Sequence, residues 1–92
     1  MEARVMENFT EDSIKENLRK IIAKKLKIKP DGINDNAHVG NDLGIDSADM
    51  INVLYDIEDA FSIKMSDDEA SDNLTIKSLA NLVKAKIDLK NK

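Results

Sequence analysis

Three stretches of this chain repeat apolar residues at helical spacing, and no stretch alternates with period two. Ile14, Leu18, Ile21, Ile22 and Leu26 follow one another at 4, 3, 1 and 4 residues. Ile51, Leu54, Ile57 and Phe61 do so at 3, 3 and 4, with Met50 and Val53 widening the stripe. Ile76, Leu79, Ala80, Val83 and Ile87 do so at 3, 1, 3 and 4, with Leu82 adding breadth. Each set covers one face of an α-helix and must bury that face against another. With no internal repeat and no hairpin turn, the chain is expected to be all-α, a helical bundle.

Cap chemistry sets the expected boundaries. Thr10 can cap a helix over 11–26, with Glu11 and Asp12 where the dipole favours acids and Lys24, Lys25 and Lys27 crowding its end. Phe9 precedes the cap and can staple to Ile14. Asp46 can cap a helix over 47–61, with Asp49 in its first turn. Ser66 and Glu69 make a capping box for a short acidic helix over 67–72, marginal on its own at that length. Thr75 can cap a last helix over 76–88, with Lys84 and Lys86 near its end. Residues 1–9 read as a flexible leader and 89–92 as a frayed tail, so 1–92 is expected to be a single domain with its bundle at 10–88.

All three glycines and the only proline lie between residues 27 and 45. A loop that long inside a small domain is expected to be packed or functional. Ile28, Ile33, Ala37, Val39 and Leu43 are available to pin it to the core. The chain has three aromatic residues, Phe9, Tyr55 and Phe61, so the core must be aliphatic. Such cores repack more readily than aromatic ones.

Charge is segregated. Of the 18 acids, ten lie within residues 42–72 beside a single base, Lys64, and the net charge is −4. An acidic middle repels nucleic acid and anionic membrane and steers toward basic protein patches. There is no cysteine, which excludes disulfides, thiol catalysis and Cys-ligated metal. Neither a signal peptide nor a membrane-spanning run is evident, so a cytoplasmic protein without membrane contact is expected. His38 is the only histidine and reads as a surface loop residue. Asp31 to Asp42 spans the length of an EF-hand loop, but Ile33, Asn36 and Asp42 stand where a ligand, a glycine and a bidentate glutamate are needed. No catalytic residue and no metal site is expected, and the protein is not read as an enzyme.

What remains is "NDLGIDSADM", Asn41 to Met50. Ser47 follows the cap residue Asp46 at the start of a helix, where backbone N–H groups lack partners and the dipole is positive. A phosphate on that hydroxyl would occupy a favourable anion site. The stretch resembles the phosphopantetheine attachment motif of acyl carrier proteins, Asp-Ser-Leu within D-L-G-x-D-S-L. The likeness extends along the chain. "IKENLRKIIAKKLKI" resembles the family's first helix and "INDNAHVGNDLG" its loop. "VLYDIEDAFSIKMSDDEA" resembles its second helix and the turn into an acidic third, and "LTIKSLANLVKAKI" its last helix. It covers roughly residues 12–87.

The resemblance implies a four-helix acyl-carrier-like bundle that performs no chemistry itself. A phosphopantetheinyl transferase would attach 4'-phosphopantetheine from coenzyme A to Ser47, beside its motif neighbour Asp46. The arm's thiol would carry acyl groups as thioesters for fatty acid, lipid or polyketide biosynthesis. Ala48, Asn52, Tyr55 and Asp59 recur at 4, 3 and 4 on a second face of that helix, flanked by Asp49, Asp56 and Glu58. By similarity, this is the face on which acyl-transferring and synthase enzymes dock through basic patches, with Tyr55 as the aromatic anchor. The aliphatic interior offers room for the acyl chain between helices, and a monomer is expected. Three positions depart from the pattern: Ala48 replaces leucine, Asn52 an acid, and Asn73 lies near a usually apolar position. They point to a specialised discrete carrier. The alternatives are carriage of amino-acyl cargo and an unmodified acidic interaction module.

Overall fold

A computed structural model describes residues 10–71 and 73–90. It contains four α-helices, α1 (Glu11–Leu26), α2 (Ser47–Phe61), α3 (Asp67–Ser71) and α4 (Ile76–Lys90), with one 3₁₀ turn (Pro30–Gly32) in the long loop. The expected leader, the Phe9 staple, residue 72 at the expected end of α3, and residues 91 and 92 of the expected tail lie outside the described residues.

The helix ends follow from local chemistry. The Thr10 hydroxyl accepts the Ser13 N–H at 3.1 Å, and the Ser13 hydroxyl accepts the Thr10 N–H at 3.0 Å, a reciprocal capping box. Ser66 and Glu69 form the same box ahead of α3. The Thr75 hydroxyl accepts the Ser78 N–H at 3.0 Å. At their other ends α1 and α2 close alike. Lys27 (φ 61°) and Ser62 (φ 55°) turn left-handed, and Ile28 and Ile63 donate back to the carbonyls of Ala23 and Glu58. The last helix runs to Lys90, two residues past the expected 88. Neither glycine nor proline stops it, and the Lys84–Asp88 pair braces its final turns.

The core is aliphatic. Ile14, Leu18 and Ile22 of α1, Val53 and Ile57 of α2, and Ile76, Leu79 and Val83 of α4 are fully buried. Each contributes roughly 1.5–3 kcal/mol by leaving water. No polar or charged residue among those described is buried with them. The first helix is the common wall against which α2 and α4 both pack. Ala23, Ile45 and Ile63, which the stripes omit, are buried too.

The long loop is packed. Ile33, Ala37 and Val39 are buried and Leu43 is partly so, but Ile28 is 47% exposed and pins nothing. The Val39 N–H donates to the Leu74 carbonyl at 2.9 Å, and the N–H groups of Ile76 and Lys77 donate to Ala37 and Asp35. An isolated antiparallel bridge joins His38 to Thr75. Asp35 clamps the loop to α1 through Lys15 at 3.0 Å and Arg19 at 2.8 Å. The Lys15 hydrogen bond holds the Asp35 carboxyl below its ordinary value and the Lys15 ammonium above its own, against partial desolvation of each.

Candidate functional site

The loop delivers the chain to α2 at a fixed place. Gly44 adopts φ +79°, a conformation that disfavours any side chain, and its N–H donates to the Gly40 carbonyl at 3.0 Å. Ile45 then buries, with its N–H on the Val39 carbonyl at 3.0 Å. Asp46 follows in extended backbone and caps α2, its Oδ1 accepting the Asp49 N–H at 2.9 Å. Ser47 is the first helical residue and is exposed. Its hydroxyl has no partner among the described residues, nor do the backbone N–H groups of Ser47 and Ala48. Two free donors at the positive end of a 15-residue helix surround an accessible hydroxyl. That suits a phosphodiester, so the residues present fit the group the sequence implies.

Beside Ser47 an open cleft of about 300 Å³ lies between α2, α3 and the loop. Val39, Ile45, Met50, Leu54, Ala70 and Leu74 form its apolar walls, and Asp46, Ser47, Asp67 and Ser71 are its exposed polar members. The short α3 forms one side of the cleft through Asp67, Ala70 and Ser71. Ala70 is the one α3 side chain that buries. Glu69 reaches Lys86 at 2.7 Å, and just ahead of α3 Glu58 Oε2 accepts the Met65 N–H at 2.8 Å, while Met65 and Leu74 on either side of α3 pack partly against the core. The Lys86 hydrogen bond, helped by the Ser66 N–H, holds the Glu69 carboxyl below its ordinary value.

The second face of α2 is where its spacing places it. Ala48, Asn52, Tyr55 and Asp59 are all exposed, Tyr55 by 61%, and Asp56 is exposed beside them. Asp49 is half-buried, and Glu58 is engaged with Met65 rather than free to face a partner. Ile51 corrects the sequence reading: counted with the core stripe, it is 46% exposed and lines the cleft. At about 100° per residue it lies roughly a quarter-turn from the centre of the buried set, and that offset was readable in advance. His38 is a second correction. It is half-buried, and its Nδ1 accepts the N–H groups of Gly40 and Asn41. Asn73 closes α3 by donating from Nδ2 to the Glu69 carbonyl at 2.8 Å, while Leu74 takes the apolar place in the cleft. Room for an acyl chain between helices was expected, but not which residues line it, since the walls come from three separate segments.

Among the described residues, no helix is long and apolar enough to cross a membrane. No group of His, Cys, Asp or Glu side chains there is arranged to hold a metal ion.

Comparison with known proteins identifies the family. The family profile described as a phosphopantetheine attachment site matches residues 16–83. Acyl carrier proteins of Buchnera aphidicola subsp. Acyrthosiphon pisum, strains Tuc7 and APS, are each 35% identical over 74 residues. That match spans 80% of this chain and 92% of theirs. The solved structure of an acyl carrier protein from Enterococcus faecalis shares the fold with a TM-score of 0.72 at 23% identity, over 85% of this chain and 99% of that one. The prosthetic group of such carriers is covalently attached 4'-phosphopantetheine. A matched profile over most of the chain, relatives at this identity and an all-helical fold around an exposed helix-start serine agree: the chain belongs to the acyl carrier protein family.

Proposed function

We propose that Ser47 carries the 4'-phosphopantetheine arm and that the protein presents acyl cargo on it to enzymes docking along α2. The observation that supports this most is the Ser47 hydroxyl itself: exposed, at the head of α2, and, among the described residues, unpartnered beside two free backbone N–H groups and the mouth of an apolar cleft. When bound, the arm supplies the thiol that holds an acyl group as a thioester. The chain's residues do the rest. Asp46 fixes the first turn by capping it, and Ser47 and Ala48 offer N–H groups to the phosphodiester. Val39, Met50, Leu54 and Leu74 give the acyl chain an apolar refuge from water.

Docking runs along Ala48, Asn52, Tyr55 and Asp59, with Asp56 and Asp49 at the margin. Tyr55 anchors, and the acids steer basic patches of a phosphopantetheinyl transferase and of acyl-transferring and synthase enzymes. Ile51, exposed beside Tyr55 on the helix, extends this surface toward the cleft. The carrier works as a single-domain cytoplasmic monomer serving fatty acid biosynthesis or a dedicated lipid or polyketide pathway. Ala48 and Asn52, on the exposed face, favour a restricted partner set.

Intact mass after incubation with coenzyme A and a phosphopantetheinyl transferase tests the attachment. The expected result is a gain of one phosphopantetheine, abolished in Ser47→Ala while helicity is retained. No gain with several transferases, or full gain in Ser47→Ala, refutes it.

A further inference from the structure

We infer that His38 is a positioning residue for the attachment reaction: its neutral imidazole caps the loop turn leading into Asp46–Ser47, and protonation of that ring releases the turn. The inference rests on Ser47 being the attachment point.

Residues 38–43 form one hydrogen-bonded turn with His38 at its head. The N–H groups of Asp42 and Leu43 donate to the His38 carbonyl at 2.8 and 3.1 Å. The next donors in the turn, the N–H groups of Gly40 and Asn41, are taken by His38 Nδ1 at 3.1 and 2.9 Å. Asp42 returns the contact, its Oδ2 accepting the His38 N–H at 2.8 Å. This is the reciprocal logic of a capping box, with an imidazole nitrogen where serine or threonine usually supplies oxygen. The ring lies along Gly40, where an added Cβ would sit 3.4 Å from His38 Cε1.

An imidazole accepts through Nδ1 only with its proton on Nε2. A second proton turns Nδ1 into a donor aimed at two N–H groups, which forfeits both hydrogen bonds. Histidine is the side chain whose charge ordinarily changes between pH 5 and 8. Among the described residues, Asp42 is the charged side chain in hydrogen-bond contact with His38. Across the bridge, Leu74 and Thr75 carry none. Lys77 at the head of α4 is exposed. From α1, Lys15 and Arg19 are engaged with Asp35, and Asp46 is committed to Asp49.

Opening this turn reaches the site directly. Gly44 and Ile45 hang from the carbonyls of Gly40 and Val39, and Val39, Gly40 and Ile45 all line the cleft beside Ser47.

The test uses the full chain, wild type and His38→Asn, because an asparagine oxygen caps without titrating in this range. Modification by a phosphopantetheinyl transferase is followed from pH 7.5 to 5.5 as the wild-type to His38→Asn ratio of kcat/KM. Taking the ratio cancels the transferase's own pH response. The imidazole tautomer and the Gly40 and Asn41 amide signals of the wild type are read by ¹⁵N NMR. The expected result is an Nε2–H ring at pH 7.5, Gly40 and Asn41 amide signals that shift as the ring gains its second proton, and a ratio that falls about fivefold or more on acidification. A flat ratio, or an Nδ1–H ring, overturns the inference. If His38→Asn does not fold, the wild-type tautomer and amide titration decide alone. If the wild type is not modified at any pH, the attachment reading fails and the positioning role falls with it, while the NMR still reports whether the ring caps the turn.

Discussion

Lys27→Gly should stabilise the fold although it removes a side chain and adds no contact. Lys27 closes α1 at φ 61°, and the turn is locked by the Ile28 N–H on the Ala23 carbonyl at 3.0 Å. An L side chain there costs roughly 1–2 kcal/mol, which glycine avoids. Against this, glycine loses about 0.5–1 kcal/mol more backbone entropy on folding. Removing an exposed cation from the end of a helix loses about 0.3 kcal/mol. The net gain is about 0.5 kcal/mol. Unfolding entropy of about 2.1 cal/mol/K per residue then makes this a rise of about 3 °C in Tm for a chain of 92 residues. Gly44→Ala is the mirror experiment. Gly44 sits at φ +79°, and an added Cβ would meet nothing within 4 Å, so only conformation opposes the change. It should lower Tm by about 3–5 °C. Thermal unfolding followed by circular dichroism reads both. Shifts of the same sign, or a fall of more than about 2 °C in Lys27→Gly, would refute the assignment of conformational cost at these turns.

The two faces of α2 should separate stability from docking. Ile57→Ala removes about three buried carbons and leaves a cavity, costing about 3–4 kcal/mol in urea unfolding, whereas Tyr55→Ala should cost within about 1 kcal/mol yet weaken transferase or synthase binding measured by titration. Lys86→Ala frees Glu69 and should speed hydrogen exchange of the α3 amides while leaving α1 and α4 protected. Acid should destabilise through Asp35 and Glu69. Both carboxyls are held below their ordinary 3.8 and 4.5, so their contribution is complete above those values and is lost as pH falls through the lower folded ones. Asp35→Asn should flatten that acid limb of Tm against pH. Lys15, raised above 10.5, contributes fully below that value and loses its share as pH rises through the folded one.

The extent of α1 and α2 could be read from the chain because their stripes, caps and closing residues sit within four residues of what they act on. Thr10, Asp46, Ser66 and Thr75 all serve as the caps their neighbours imply. The four α2 residues assigned to a second face are exposed for the same reason: helical geometry alone carries a residue to its side. Ile51 shows the limit of counting intervals: its spacing to Leu54 grouped it with the core, while its helical angle, roughly a quarter-turn from the buried set, leaves it at the rim of the cleft.

The sequence by itself determined the helices, the acidic character of the middle and the helix-start setting of Ser47, all products of short-range chemistry. The tertiary structure decided the rest. It joined Val39, Leu54, Ala70 and Leu74 into one cleft, made Asp35 the clamp between loop and α1, and turned His38 from a surface histidine into a cap. Those partners are far apart in the chain or depend on how a loop with no periodicity folds. Neither propensity nor spacing specifies such contacts, and they form only when the apolar faces have packed.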